Sequence, residues 1–71
     1  MQINIQDIVP FMKDGYVAMD SNDNWFWAKN KPKIEEYCGC WGCYGETADL
    51  HCFDIAPADD WTQSLIKVGG K

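Results

Sequence analysis

Apolar residues recur at helical spacing near the start of the chain. They fall at positions i, i+3, i+4 and i+7, which predicts a short amphipathic helix on Ile5, Ile8, Val9 and Met12. A cap at Asp7 places Pro10 in the first turn, where its missing N–H costs nothing, whereas a cap at Asn4 places Pro10 one turn too deep. Gly15 suits the left-handed stop of this helix. An alternative is a short strand first, on which Ile3 and Ile5 alternate.

The following segment changes to a strand pattern. Residues 16–29 predict an antiparallel β-hairpin, because an apolar run, a dense group of Asp, Ser and Asn turn formers and a second apolar run follow one another. In the second strand Trp25 and Trp27 share one face and Phe26 takes the other, so both faces are aromatic. One face can enter the core, and the other needs a partner from the rest of the chain, a second subunit or a ligand.

The second half of the chain predicts shorter elements. Residues 30–36 are expected to form a loop, because Pro32 holds the residue before it in an extended conformation. Residues 50–55 predict a third strand. Residues 61–68 fit either a short C-terminal helix or a strand, and Asp59 and Asp60 would lie in the first turn of the helix. We expect Gly69-Gly70 to end this element.

These elements predict a small α+β fold for the 71 residues. We expect one domain over residues 1–71, with a helix and hairpin over 1–36, a Cys-rich bend segment over 37–52, and a strand and C-terminal element over 53–71. In a core of this size, the free energy gained by burying apolar surface roughly equals the entropic cost of ordering the chain. A cross-link, a metal ion or an oligomer would therefore add needed stability.

The charge balance narrows the range of partners. The chain contains eleven acidic residues, six lysines and no arginine, which gives a net charge of −5. Arginine is the preferred residue for phosphate and guanine recognition, so its absence argues against direct nucleic-acid reading. Lys29, Lys31 and Lys33 are followed at once by Glu35 and Glu36, and we interpret them as part of a solvated loop.

The sequence predicts a cytoplasmic protein. Residues 1–12 have neither a basic region nor an unbroken apolar run, so we expect no signal peptide. No run approaches the roughly 20 apolar residues of a membrane span. In the cytosol thiols stay reduced, and clustered cysteines indicate metal binding or reactive chemistry more often than disulfides.

The four cysteines fall close together, in the pattern Cys38-x-Cys40-x2-Cys43 followed by His51-Cys52. A C-x-x-C pair on a glycine-bearing turn supplies two zinc ligands, and Cys52 on a separate strand would supply a third. We predict structural Zn²⁺ held by the four cysteines, with His51 as the alternative to Cys38. Free thiols and a disulfide or redox pair are the competing interpretations. The pattern contains no catalytic constellation, so we expect no enzyme.

The surplus of aromatic residues predicts a binding surface. We expect Trp41, between two cysteines on a bend, to project outward. The predicted binding residues are Trp25, Trp27, Trp41, Tyr44 and Trp61.

Three segments of the chain carry a recognisable pattern: Asp-Ile-x-Pro-x-Met-x-x-Gly-x-Val-Ala-Met-Asp from Asp7, Trp-x-Trp from Trp25, and Asp-Trp-Thr-x-Ser-Leu-Ile from Asp60. In these segments the chain resembles small accessory proteins carried by phages and prophages of gut bacteria. The resemblance covers residues 5–34 and 53–68 and leaves out the Cys-rich segment. It implies a bacterial host cytoplasm as the setting.

The chain also combines a short helix ending at Lys-x-Gly, a hairpin rich in aromatic residues and an Asp-Trp pair near the C-terminus. This layout is similar to that of small phage anti-defence proteins that sequester signalling nucleotides. Our leading hypothesis is a non-enzymatic accessory protein that binds a host protein, as an inhibitor of a host defence system. The alternative is a small-molecule sponge, in which Trp and Tyr faces stack on a base and Lys29 or Lys31 meets a phosphate. A further alternative is a zinc-stapled structural mini-domain in a phage assembly. A homo-oligomer stays open in each case.

Overall fold

The computed structural model describes residues 2–35 and 37–69. It contains one short α-helix, α1 (Ile5–Ile8), and two 3₁₀ turns, Val9–Phe11 and Trp61–Gln63. The strands in this part of the chain are β1 (Gly15–Met19), β2 (Trp25–Ala28), β3 (Lys33–Glu35), β4 (Cys40–Gly42), β5 (Thr47–Asp49) and β6 (Ile66–Val68). The α+β prediction is confirmed.

The N-terminal helix is shorter than its apolar pattern suggests. Asn4 caps it, and the Asn4 side chain accepts a hydrogen bond from the Gln6 N–H at 2.9 Å. Pro10 has no N–H to donate back to Gln6, so the α-helix ends after one turn and continues as the 3₁₀ turn Val9–Phe11. The prediction of Gly15 as the helix stop is wrong, since Gly15 begins β1.

The predicted hairpin forms the centre of the main sheet. β1 and β2 pair in antiparallel register, with Val17 opposite Trp27 and Met19 opposite Trp25, and the strand order is β5-β2-β1-β6. One face of this sheet packs under the N-terminal helix and carries most of the core. The buried core cluster comprises Ile5, Val17, Met19, Trp25, Trp27, Leu50, Ile55 and Val68.

The third strand lies earlier than predicted. β5 pairs with β2, whereas residues 50–55 form a turn that begins where Asp49 Oδ1 accepts a hydrogen bond from the His51 N–H at 2.9 Å. That side-chain bond competes with continued pairing and ends the strand. Leu50 and Ile55 are apolar because both enter the core, and Ile55 makes only an isolated parallel bridge to Ile3.

The C-terminal segment combines both predicted alternatives. The 3₁₀ turn Trp61–Gln63 is capped by Asp60, whose Oδ1 accepts from the Thr62 N–H at 3.0 Å and from its hydroxyl at 2.6 Å. These two hydrogen bonds lower the pKa of the Asp60 carboxyl. β6 then pairs with β1, and Gly69 follows with a left-handed φ of 61°. The predicted end at Gly70 lies outside the described residues.

The predicted loop over residues 30–36 contains a strand. β3 pairs with β4 in a separate two-stranded sheet, with Glu35 opposite Cys40 and Ile34 opposite Trp41. The loop prediction is therefore wrong for 33–35, because Pro32 precedes the strand and leaves its hydrogen bonds intact. Glu36 lies outside the described residues.

The outer edge of β1 is completed by two side chains at Met19. The Met19 N–H donates to Ser64 Oγ at 2.8 Å, and the Met19 carbonyl accepts from Trp41 Nε1 at 3.0 Å. Ser64 also donates to the Trp61 carbonyl at 2.7 Å, and the Trp41 and Trp61 rings meet edge to face at 6.3 Å. The outward projection predicted for Trp41 is wrong, since the residue is only 8% exposed.

Buried side-chain polar atoms within residues 2–35 and 37–69 have hydrogen-bond partners. No buried side-chain nitrogen or oxygen in these ranges lacks a hydrogen-bond partner.

Among the same residues, no helix has the length and apolar character needed to cross a membrane.

We predict that Ser64→Ala lowers the free energy of unfolding by about 1 to 3 kcal/mol, because the buried Met19 N–H loses its acceptor. Denaturant unfolding followed by tryptophan fluorescence measures the change. Ser21→Ala is the matched control, since Ser21 is exposed on the hairpin turn. Equal stability of the two variants would contradict the prediction.

Candidate functional site

The turn between β3 and β4 brings two cysteines close to a carboxylate. Its backbone is held by a hydrogen bond from the Cys38 N–H to the Glu35 carbonyl at 3.1 Å. Gly39 adopts a left-handed φ of 67°, and its carbonyl accepts from the Ser21 N–H at 3.1 Å. A Cβ at Gly39 would lie 2.6 Å from Ser21 Oγ, so the turn packs closely against the turn of the β1–β2 hairpin.

Three ligand atoms come together on this turn. The Sγ atoms of Cys38 and Cys40 and a carboxylate oxygen of Glu35 all lie within 4.8 Å of one another. Glu35 reaches them because it stands opposite Cys40 across the strand pair. Its carboxylate extends over Gly42, where a Cβ would lie 2.9 Å from Glu35 Cδ. The glycine therefore leaves the space that the carboxylate occupies.

In the structure Cys38 and Cys40 form a disulfide. A disulfide sulfur has no thiolate charge with which to bind a metal, so the closed pair and a metal site exclude each other. When the pair is reduced, two thiolates and a carboxylate form a group that can hold a metal ion. The site therefore has two chemical states on one backbone.

The disulfide contributes less to the stability of the fold than a cross-link over a longer loop would. Chain-entropy arguments give about 1.6 kcal/mol for a closed loop of about three residues, compared with about 3 kcal/mol for about fifteen. The turn is held independently by the backbone bonds to Glu35 and Ser21. The position of the two cysteines therefore does not depend on the cross-link alone.

The other predicted ligands lie outside this group. Cys43 follows β4 and Cys52 lies in the turn after β5, and both are free, exposed thiols. His51 Nδ1 lies 3.2 Å from Asp49 Oδ1, on the same turn as Cys52. In the described ranges, the structure gathers Cys38 and Cys40 with Glu35 and adds neither Cys43 nor Cys52 to that group.

Glu35 is the site residue that the sequence analysis missed. Glu35 lies beside Cys40 because the two residues are opposite each other in the β3–β4 pair. The prediction of a loop over residues 30–36 did not include this strand pair. A strand reading of Lys33-Ile34-Glu35 before the glycine-bearing turn would have placed the carboxylate opposite the cysteines.

Cys43 differs from an ordinary exposed thiol. Partial burial raises the pKa of the Cys43 thiol, and the negative charges of Asp20 and Glu35 raise it further. The side chain also lies 3.6 Å from the Trp41 carbonyl. All these effects favour the protonated form, so Cys43 is a poor nucleophile near neutral pH.

Most of the predicted aromatic binding residues are in the interior. Trp25 and Trp27 are buried, and their Nε1 atoms donate to the carbonyls of Ala56 and Lys13 at 3.1 Å. Trp41 is buried and Trp61 is half-buried, so Tyr44, 55% exposed, is the exposed member of the set.

Other aromatic side chains take the exposed positions. Phe11 is 88% exposed and Tyr37 is 89% exposed. Phe11 lies off the apolar stripe of the N-terminal helix, which is the sequence signal that could have identified it. It borders an open groove of about 360 Å³ lined by Phe11, Met12, Lys13, Trp27, Glu46, Ala48 and Leu50.

Comparison of the chain with protein-family models, curated protein sequences and solved structures finds no match. The fold and the thiol site are therefore interpreted from their own geometry.

We predict that Cys43 reacts with iodoacetamide at pH 8 more slowly than the cysteine of a short, neutral, blocked peptide, because its thiolate fraction is depressed. A Cys52→Ser background leaves one free thiol, whose alkylation intact mass spectrometry follows. Asp20→Asn should raise the rate, whereas Asp23→Asn, on the same hairpin turn, should not. A rate for Cys43 equal to or above that of the reference thiol would contradict the expectation.

Proposed function

We propose that this chain is a non-enzymatic binding protein that engages a partner protein through the groove beside Phe11. The observation that carries the proposal is the 88% exposure of the Phe11 side chain at the border of that groove. Exposing a phenyl ring to water is unfavourable, and its burial by a partner is a typical source of binding energy.

The surroundings of Phe11 resemble the anatomy of a protein interface. Met12 and Leu50 supply apolar surface inside the groove. Lys13 and Glu46 form an exposed ion pair at 3.2 Å, and the Lys13 ammonium lies 5.1 Å from the centre of the Trp27 ring. An apolar centre with a charged border is the arrangement that most protein interfaces share.

The charge of the chain indicates the kind of partner. A net charge of −5 favours a partner with a basic surface around an apolar pocket, because opposite charges speed encounter and orient docking. The resemblance to phage and prophage accessory proteins supports a host protein in the bacterial cytoplasm, such as a component of a defence system. The burial of Trp25, Trp27 and Trp41 weighs against nucleotide sequestration, which needs an exposed indole face.

A second function is favoured by the three-donor group on the β3–β4 turn. We propose that the reduced chain binds Zn²⁺ through Cys38, Cys40 and Glu35. Thiolates and carboxylates are both zinc ligands, and the reducing cytosol would keep the pair open. Three protein ligands leave a fourth position for water or for a side chain of the partner.

For the partner, we predict that Phe11→Ser weakens binding at least about tenfold, since loss of a central aromatic residue costs on the order of 2 kcal/mol. Affinity capture from bacterial lysate with the wild type and with Phe11→Ser identifies proteins that depend on the residue. Each one is then purified and its affinity measured by calorimetry at two salt concentrations.

The control for this experiment is Tyr44→Ser, which removes another exposed aromatic ring away from the groove. Tyr44→Ser should bind like the wild type. The proposal is rejected when no purified protein binds, or when Phe11→Ser and Tyr44→Ser lower affinity equally.

For zinc, native mass spectrometry of the reduced chain should show one Zn²⁺ per molecule. Cys38→Ser and Glu35→Gln should lower the occupancy, and Cys52→Ser should retain it, because Cys52 lies outside the three-donor group. An apo mass for the reduced wild type ends the zinc proposal. Loss of zinc in Cys52→Ser but not in Glu35→Gln would instead favour the four-cysteine site.

A further inference from the structure

We propose that Cys38-Gly39-Cys40 is a thiol–disulfide exchange site whose substrates are low-molecular-weight thiols of the glutathione class. The inference goes beyond the proposed function, because it requires neither a partner protein nor a metal ion. It rests on the position of the disulfide, on the backbone that supports it and on the carboxylate beside it.

The disulfide is accessible to small thiols. Cys38 is exposed and Cys40 is partly exposed, and both lie on a surface turn next to the exposed ring of Tyr37. Gly39 between them has no side chain to block approach. A thiolate must reach a disulfide sulfur directly, so accessibility of this kind is the first requirement for exchange.

The backbone supports both the closed and the open pair. The Cys38 N–H bonds to the Glu35 carbonyl, the Gly39 carbonyl accepts from the Ser21 N–H, and β3 pairs with β4 on both sides of the turn. None of these bonds involves a sulfur atom. Opening the disulfide therefore leaves the turn in place, and the Cα atoms of the pair stay near their 5.5 Å separation, ready to close again.

The exchange balances in two steps. A glutathione thiolate attacks the exposed Sγ of Cys38, the S–S bond breaks, and Cys40 leaves as a thiolate that takes a proton from water. A second glutathione thiolate attacks the glutathione sulfur of the mixed disulfide, which releases Cys38 as a thiolate and forms oxidised glutathione. The chain gains two electrons and two protons, and two glutathione molecules become one disulfide. The reverse sequence closes the pair.

Glu35 tunes this chemistry without taking part in bond formation. In the closed state Cys38 Sγ lies 3.3 Å from the Glu35 carbonyl oxygen and 3.8 Å from its Oε1. In the open state both oxygens can accept a hydrogen bond from the Cys38 thiol. The carboxylate charge also repels an approaching anionic thiolate, which slows attack on the Cys38 sulfur. Glu35 is therefore a positioning residue that restrains exchange.

The same sulfur atoms form the proposed zinc site, so the disulfide and the metal ion compete. Chelation of metal ions separates the two proposals experimentally. When the exchange experiment contains EDTA, a failure of exchange cannot be attributed to bound zinc. If the reduced chain does not bind zinc, exchange is still expected.

The experiment uses the full chain with Cys43→Ser and Cys52→Ser, which leaves only the Cys38–Cys40 pair. The protein is equilibrated with EDTA in glutathione buffers of increasing [GSH]²/[GSSG], quenched with N-ethylmaleimide and weighed by intact mass spectrometry. We expect the closed fraction to fall from nine-tenths to one-tenth over a roughly hundredfold change in that ratio, as for a single two-electron pair. Peptide mapping of the wild-type chain provides the same readout if the double variant does not fold.

The rate of opening tests the role of Glu35. Glu35→Gln should raise the second-order rate constant for opening by glutathione at pH 7 by roughly threefold, and should raise that for cysteamine by less, because the ammonium group of cysteamine offsets its thiolate charge. Glu46→Gln, which removes a carboxylate paired with Lys13, should leave both unchanged. A pair that stays closed in the most reducing buffer, or never closes in the most oxidising one, overturns the proposal. A pair that opens only when tryptophan fluorescence reports unfolding overturns it as well.

Discussion

The outer edge of β1 at Met19 is the constraint on which the arrangement of the other elements depends. Alternate residues of a strand point their N–H and C=O groups to opposite edges, and β6 covers this edge only as far as Val17. Two buried main-chain groups without partners would each cost about 1 to 3 kcal/mol, a large part of the net stability of about 5 to 15 kcal/mol of a folded domain. Ser64 and Trp41 provide the missing partners. One comes from the C-terminal segment and the other from the Cys-rich segment, so both are fixed against the central hairpin at one point.

This constraint also determines where the thiol site faces. Trp41 and Cys40 are neighbours on β4, and neighbouring side chains of a strand point to opposite faces. Because the indole of Trp41 is drawn inward to the Met19 carbonyl, Cys40 is turned toward the opposite face of its strand pair, where Glu35 and Cys38 meet it. The buried ring and the accessible sulfur atoms are two consequences of one register. This coupling explains how a turn with few apolar residues holds a defined position.

Elements that depend on local sequence patterns were predicted correctly, whereas contacts that depend on strand register were not. The hairpin was predictable because its apolar runs and turn formers are contiguous, and the core faces of Trp25 and Trp27 follow from strand alternation. The third strand was misplaced because Leu50 and Ile55 are apolar for contact with the core, and the residues between them form a turn. Glu35 was missed because residues 30–36 were predicted as a loop, which left out its pairing with Cys40 across the turn. Trp41 was misjudged because its acceptor on Met19 is distant in sequence.

The short spacing of Cys38 and Cys40 allows the disulfide to open and close with little effect on the fold. A disulfide stabilises a fold mainly by restricting the unfolded chain, and a loop closed over one intervening residue restricts it little. The backbone hydrogen bonds of the turn already hold the two residues near each other. The turn can therefore keep its conformation whether the disulfide is closed or open. A cross-link on which the fold depends little is free to respond to its surroundings. Its oxidation state then decides whether the sulfur atoms are joined to each other or offered, together with the Glu35 carboxylate, to a metal ion.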